Sequence, residues 1–118
     1  MRGPTPAYDY PMDTAIASKP RTIAEQAAYA DAREVARQNF EDAKAKSDEA
    51  WISYREASTA EYAAEDAWSE AIRLRVGEDE AQKAYLTAHR ECSARLHQYN
   101  RLSNLSLSAG RVAAEYGI

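Results

Sequence analysis

From Thr22 to Val76 the chain has neither glycine nor proline, and alanine returns at strict seven-residue intervals as Ala36, Ala43, Ala50, Ala57, Ala64 and Ala71. Four places after each alanine stand, in turn, Phe40, Ser47, Tyr54, Glu61, Trp68 and Arg75. A heptad repeat sustained this long predicts a helix that lays one stripe against another helix. Thr22 and Glu25 are spaced as a capping box that opens it. Arg73 and Arg75 suit the negative end of a helix dipole, and Gly77 is the expected left-handed stop. Glu78, Asp79 and Glu80 then favour a new helix N-terminus.

The second helix is expected from 78 to about 107, with Ala81, Tyr85, Ala88, Cys92, Leu96, Tyr99 and Leu102 on its apolar side at spacings of three and four. Ser103, Asn104, Ser106 and Ser108 weaken its end, Gly110 is the expected cap, and Val112 to Tyr116 has the pattern of one last turn. The fold class is all-α: an elongated antiparallel helical hairpin with a coiled-coil-like alanine seam. The alternative is a compact three-helix bundle with a break near Ser47. There Lys44 and Lys46 would close one helix, Ser47 would cap the next, and Asp48 and Glu49 would fill its first turn. The alanine repeat crosses Ser47 without losing phase, which favours the continuous helix over 22–76. That helix would outreach a return helix ending at 107 and leave its first half without a partner.

Residues 1–21 form a separate arm before the helical domain, 22–118. Pro4, Pro6, Pro11 and Pro20 break helix there. Tyr8 and Tyr10 are candidates to dock on a partner, burying ring area while keeping a polar tip.

On a helical wheel Trp51, Tyr62, Ile72 and Val76 flank the alanine stripe, and Ile52, Ala63, Ala67 and Leu74 form a weaker strip on the far side. The stripe and its flank are wider than a two-helix seam uses. The expected protein interface therefore comprises the six ladder alanines with Phe40, Trp51, Tyr54, Glu61, Tyr62 and Trp68, together with the two arm tyrosines. Glu61 interrupts the apolar row. It is either an edge position with its head in solvent or a register-setting carboxylate paired with His89, Arg95 or a partner chain.

The 118 residues amount to one domain, with 45% hydrophobic and 29% charged residues and a net charge of -4. That charge is segregated: residues 48–80 carry ten acids against three bases, and residues 81–118 carry five bases against two acids. An acidic middle before a basic end suits self-complementation, or else two different partners. In a hairpin turning at Gly77, Glu65 and Asp66 fall near Arg90, and Glu56 near Arg95 or Arg101. Such pairs set orientation and partner choice more than stability.

Cys92 is the one cysteine, so no intrachain disulfide forms. No apolar run is long enough to span a membrane, and the N-terminus lacks the apolar core of a secretory signal. The expected location is the cytoplasm of a bacterial cell, or a virus-infected cell or virion.

Candidate chemistry is thin. The four glycines are isolated, so no phosphate-binding loop exists. Neither Glu-x-x-His nor His-Glu-x-x-His occurs. His89 and Cys92 share a helical face but lack the further ligands of a metal site, and as a nucleophile pair they lack an orienting third group. No enzyme activity, cofactor or metal is expected. The function expected first is a protein-interaction module, a structural or adaptor hairpin that self-associates or packs in a larger bacterial or viral assembly. A small inhibitor acting through a Trp51–Trp68 face is the alternative. A nucleic-acid binder using Arg90, Arg95, Arg101 and Arg111 is the third reading, opposed by the acidic stretch lying alongside.

Overall fold

The computed structural model describes residues 22–118. The expected arm, with Tyr8 and Tyr10, lies outside the described residues. The fold is the all-α hairpin. Helix α1 is Ile23–Leu74, 52 residues without a break, and helix α2 is Glu78–Glu115, 38 residues. The three-helix alternative fails at its proposed joint, because α1 passes straight through Ser47. Lys44 and Asp48, which would have ended one helix and begun another, instead pair along one continuous helix with Nζ 3.8 Å from Oδ2.

The helix ends explain these boundaries. Thr22 N–H donates to Glu25 Oε1 at 2.9 Å and Glu25 N–H to Thr22 Oγ1 at 3.0 Å, the reciprocal capping box that the spacing predicts. The far end of α1 differs from expectation. Val76 N–H reaches back to Ala71 O at 3.1 Å and Arg75 N–H to Ile72 O at 3.3 Å, which is a Schellman motif. Its left-handed residue is Arg75, at φ 56°, and not Gly77. Gly77 also has positive φ, at 68°, but it works on the other side of the corner: its carbonyl accepts the first bond of α2, from Ala81 N–H at 3.0 Å. Two left-handed residues within three positions turn the chain around.

The second correction concerns the end of α2. Gly110 does not cap it. The helix runs on through its serines to Glu115, and Gly117, at φ 76°, supplies a second Schellman cap through Ile118 N–H to Ala113 O at 3.1 Å. Gly110 lies inside the helix because Phe40 covers it: a Cβ there would meet Phe40 Cε1 at 3.2 Å. Glycine in a helix interior costs about 1 kcal/mol relative to alanine, so packing accounts for it here.

The chain falls into two compact units. In Asp42–Leu107, α1 and α2 run antiparallel from the corner, with Trp68 stacked on Tyr85 at 5.3 Å between ring centroids and Trp51 against Tyr99 at 5.1 Å. In the other, the described residues before Asp42 pack on Ser108–Ile118. There Tyr29 meets Tyr116 at 5.4 Å, and Arg33 Nε donates to the Tyr116 carbonyl at 3.2 Å. The turns of α2 beyond residue 107 thus supply the early part of α1 with a partner from its own chain.

Two outcomes test the backbone assignments. Arg75→Gly relieves a left-handed side-chain residue and is expected to stabilise the chain by up to about 1 kcal/mol, whereas Gly77→Ala destabilises it by a similar amount. Urea titrations with equal shifts for both variants would contradict the two roles. Gly110→Leu overpacks the Phe40 contact and is expected to cost about 1–3 kcal/mol. Gly110→Ala is expected to stay near neutral, its helix propensity gain offsetting the tight contact.

Candidate interaction face

The seam comes first, because it decides which side chains remain outside. From Ala36 to Ala71, each ladder alanine and each residue four places after one (Phe40, Ser47, Tyr54, Glu61 and Trp68) is buried or half-buried. On α2 the protected positions run Ala81, Tyr85, Ala88, Cys92, Arg95, Tyr99 and Leu102, again alternating four and three apart. This differs from expectation at one place. Arg95 holds the seam position and Leu96, assigned to it from the sequence, is exposed. Apolarity pointed to Leu96, while the unbroken spacing from Ala88 and Cys92 pointed to Arg95. Arg95 is accommodated by hydrogen bonds: Nη1 donates to the Ser53 carbonyl at 3.2 Å and Nε to Glu91 Oε2 at 2.6 Å. The expected pairing of Arg95 with Glu56 is therefore not formed, and Arg101 turns to Gln98 on its own helix.

Glu61 is the polar centre of the seam. His89 Nδ1 lies 2.8 Å from Glu61 Oε2. An ionised carboxylate only accepts, so Nδ1 carries the proton. The buried Cys92 thiol lies beside the same carboxylate, and the ring of His89 stacks on Tyr85 at 6.0 Å. Of the alternatives for Glu61, pairing with His89 is the one found. The His89 and Cys92 hydrogen bonds hold the Glu61 carboxyl below its ordinary range, outweighing its partial burial. Burial, then the neighbouring Glu61, push the Cys92 thiol up. The third group that sequence reasoning found missing beside His89 and Cys92 thus exists, but it keeps the sulfur protonated, which is the wrong direction for a nucleophile. Among the described residues, no three His, Cys, Asp or Glu side chains gather into a group that could hold a metal ion.

A seam of alanines buries little. The buried side chains are Ala36, Ala50, Ala57, Cys92 and Ala113, and no large side chain among the described residues is fully buried. The larger groups of the seam, such as Trp68, Tyr85 and Tyr99, are only half-buried, and other large apolar groups lie outside it. Trp51, Tyr62 and Ile72 of α1 are exposed, as are Leu86, Leu96 and Leu107 of α2. Each of the six follows a seam residue by one place. A step of one residue turns about 100° around a helix. In two antiparallel helices that face each other, this step carries both to the same side of the pair. The six residues, all within Asp42–Leu107, therefore share one side of that unit.

Trp51 leans on Tyr54 and Tyr99 yet remains 42% exposed, and Tyr62 is 67% exposed. Trp68 is half-buried in the seam against Tyr85. The wheel of α1 placed Trp51, Tyr62 and Ile72 correctly at the flank. Leu86 and Leu107 do not stand out from the sequence, because their place on this side follows only from the seam phase that Arg95 and Ser106 continue. Arg90, Arg101 and Arg111 are exposed on α2.

The Glu61 contacts predict a pH dependence. A carboxyl held below its ordinary value contributes stability that is complete above the unfolded-chain pKa, about 4.3, and lost as pH falls through the folded value. Glu61→Gln is expected to destabilise the chain at pH ~6 and to lose that deficit toward pH ~3. A deficit that stays constant in denaturation curves across this range would contradict the assignment. No family model, no curated protein and no solved structure matches this chain, so it is the geometry of this face that bears on function.

Proposed function

We propose that the chain is a non-enzymatic protein-interaction module, a helical hairpin that self-associates and contributes to a larger assembly. The observation that carries this reading is the shallow seam: its buried positions hold alanines and a cysteine, its aromatics are only half-buried, and Trp51, Tyr62, Ile72, Leu86, Leu96 and Leu107 stand exposed on one side, with Ile52, Leu74 and Leu105 exposed elsewhere. A buried methyl contributes only about 0.8 kcal/mol, whereas fully burying a leucine or isoleucine side chain contributes about 1.5–3 kcal/mol. Part of the apolar free energy available to this sequence is therefore released only when something covers that side. Contiguous exposed apolar patches rimmed by polar residues mark interaction sites. No helix among the described residues is long and apolar enough to cross a membrane, so a protein surface is the more fitting cover.

Light scattering of the full chain tests the reading. The expected mass is twice the 13.1 kDa of one chain. Leu86→Glu with Leu96→Glu is expected to return the monomer mass while far-ultraviolet circular dichroism still reports helix, because both residues lie outside the seam. A wild-type chain that stays monomeric throughout the concentration range would reject self-association.

A further inference from the structure

The geometry points to a two-fold dimer in which the apolar sides of two hairpins meet and α1 of each copy lies on α2 of the other. The inference rests on the self-association reading and adds an arrangement to it. Two helix layers brought face to face by a two-fold axis have two solutions. With the axis along the helices, α1 packs on α2 of the second copy and both corners lie at one end. With the axis across the helices, α1 packs on α1, α2 on α2, and the corners lie at opposite ends.

Height along the hairpin sets the contacts of each. Glu61 is level with His89, and Trp51 with Tyr99. Tyr62 therefore lies within about one turn of the height of Leu86, and Trp51 within about one turn of Leu96. An axis along the helices preserves height, so it sets Tyr62 on Leu86 of the second copy and Trp51 on Leu96 of the second copy, each twice. An axis across the helices reverses height. Passing near residue 91 of α2, it would set Leu86 on Leu96 of the second copy, so both arrangements cover the leucines of α2.

Charge makes the choice. On the side of α2 turned away from the seam, Lys83, Arg90 and His97 recur every seven residues, all exposed. The matching row on α1 runs Ala45, Ile52, Thr59, Asp66 and Arg73, all exposed, and Asp66, beside Glu65, is its one acid. Packing α2 on α2 would bring the Lys83 and Arg90 rows together, and like charges facing each other oppose association. Packing α1 on α2 sets Asp66 near the height of Lys83 of the second copy, since Trp68 is level with Tyr85. The acidic middle and basic end of the chain then complement each other between copies.

The test exchanges that pair in the full chain. Asp66→Lys and Lys83→Asp each turn two attractions per dimer into repulsions, and each alone is expected to weaken the dimer about tenfold in sedimentation equilibrium. Mixed in equal amounts, the two variants restore both pairs, and native mass spectrometry is expected to find the mixed dimer dominant, with near wild-type affinity. A statistical mixture with no gain in affinity, or single variants that dimerise as the wild type does, would overturn the arrangement while leaving self-association in place. A monomeric wild-type chain would instead remove the reading on which it rests.

Discussion

The close approach of two helices over alanine governs the rest of this structure. A β-carbon at every seventh position leaves no room between the backbones for a branched or aromatic side chain, and interhelical distance follows the size of the residues at the contact. The aromatics that share the stripe, Phe40, Tyr54 and Trp68, are therefore only half-buried. Gly110 under Phe40 shows the same economy, since even one methyl group would crowd that ring. The helices gain length of contact and give up depth of core. A hairpin built in this way keeps its large apolar residues at the margin, and the sequence sets six of them on one side of Asp42–Leu107.

That side and the seam are linked by a step of one residue. Because each exposed apolar group follows a seam residue directly, the heptad phase that brings alanines together also aligns Trp51, Tyr62 and Ile72 with Leu86, Leu96 and Leu107. The opposite flank, one residue before the seam, is occupied on α1 largely by Ala60, Ala63 and Ala67 with charged or small polar residues. On α1 the two flanks of the seam thus carry different chemistry. Exposed ion pairs along the helices, such as Arg37 with Glu41 at 2.6 Å, contribute solubility and a few tenths of a kcal/mol to the helix itself. They do nothing to cover the apolar side.

Most of the fold was legible because its signals are local and periodic. The alanine ladder and the Thr22–Glu25 box each sit within a few residues of the feature they specify. What was not legible depends on contacts distant in sequence. Gly110 reads as a stop until Phe40 is known to lie against it. Gly77 reads as the end of α1, but the motif closes two residues earlier on Arg75, a residue with no intrinsic preference for positive φ. The chain adopts it there because the Val76 and Arg75 amides recover carbonyls of the last turn. Leu96 and Arg95 exchanged places for a related reason. Hydropathy favours the leucine in the seam, and only the Ser53 carbonyl across the interface makes the arginine acceptable. On the interaction face, the α1 half was readable from the wheel. The α2 half required the seam phase that Arg95 concealed.

The polar residues of the seam answer a problem that the alanines create. A strict seven-residue ladder is nearly degenerate: sliding one helix past the other by a heptad would return alanine to alanine at little cost. Unique residues break that degeneracy. Glu61 is satisfied where it meets His89 and the Cys92 thiol. One heptad away on α2 the places of His89 and Cys92 are taken by Gln82 and Tyr85, or by Leu96 and Tyr99, and the half-buried carboxylate would lose its imidazole partner. Arg95 needs the Ser53 carbonyl in the same way. These contacts add little net stability, as buried ionic groups seldom do, but they penalise every other register. Register in turn decides which leucine of α2 stands level with Tyr62 and which with Trp51. A carboxylate placed inside the seam therefore fixes the pattern of apolar groups displayed outside it, and any partner that reads that pattern depends on Glu61 without touching it.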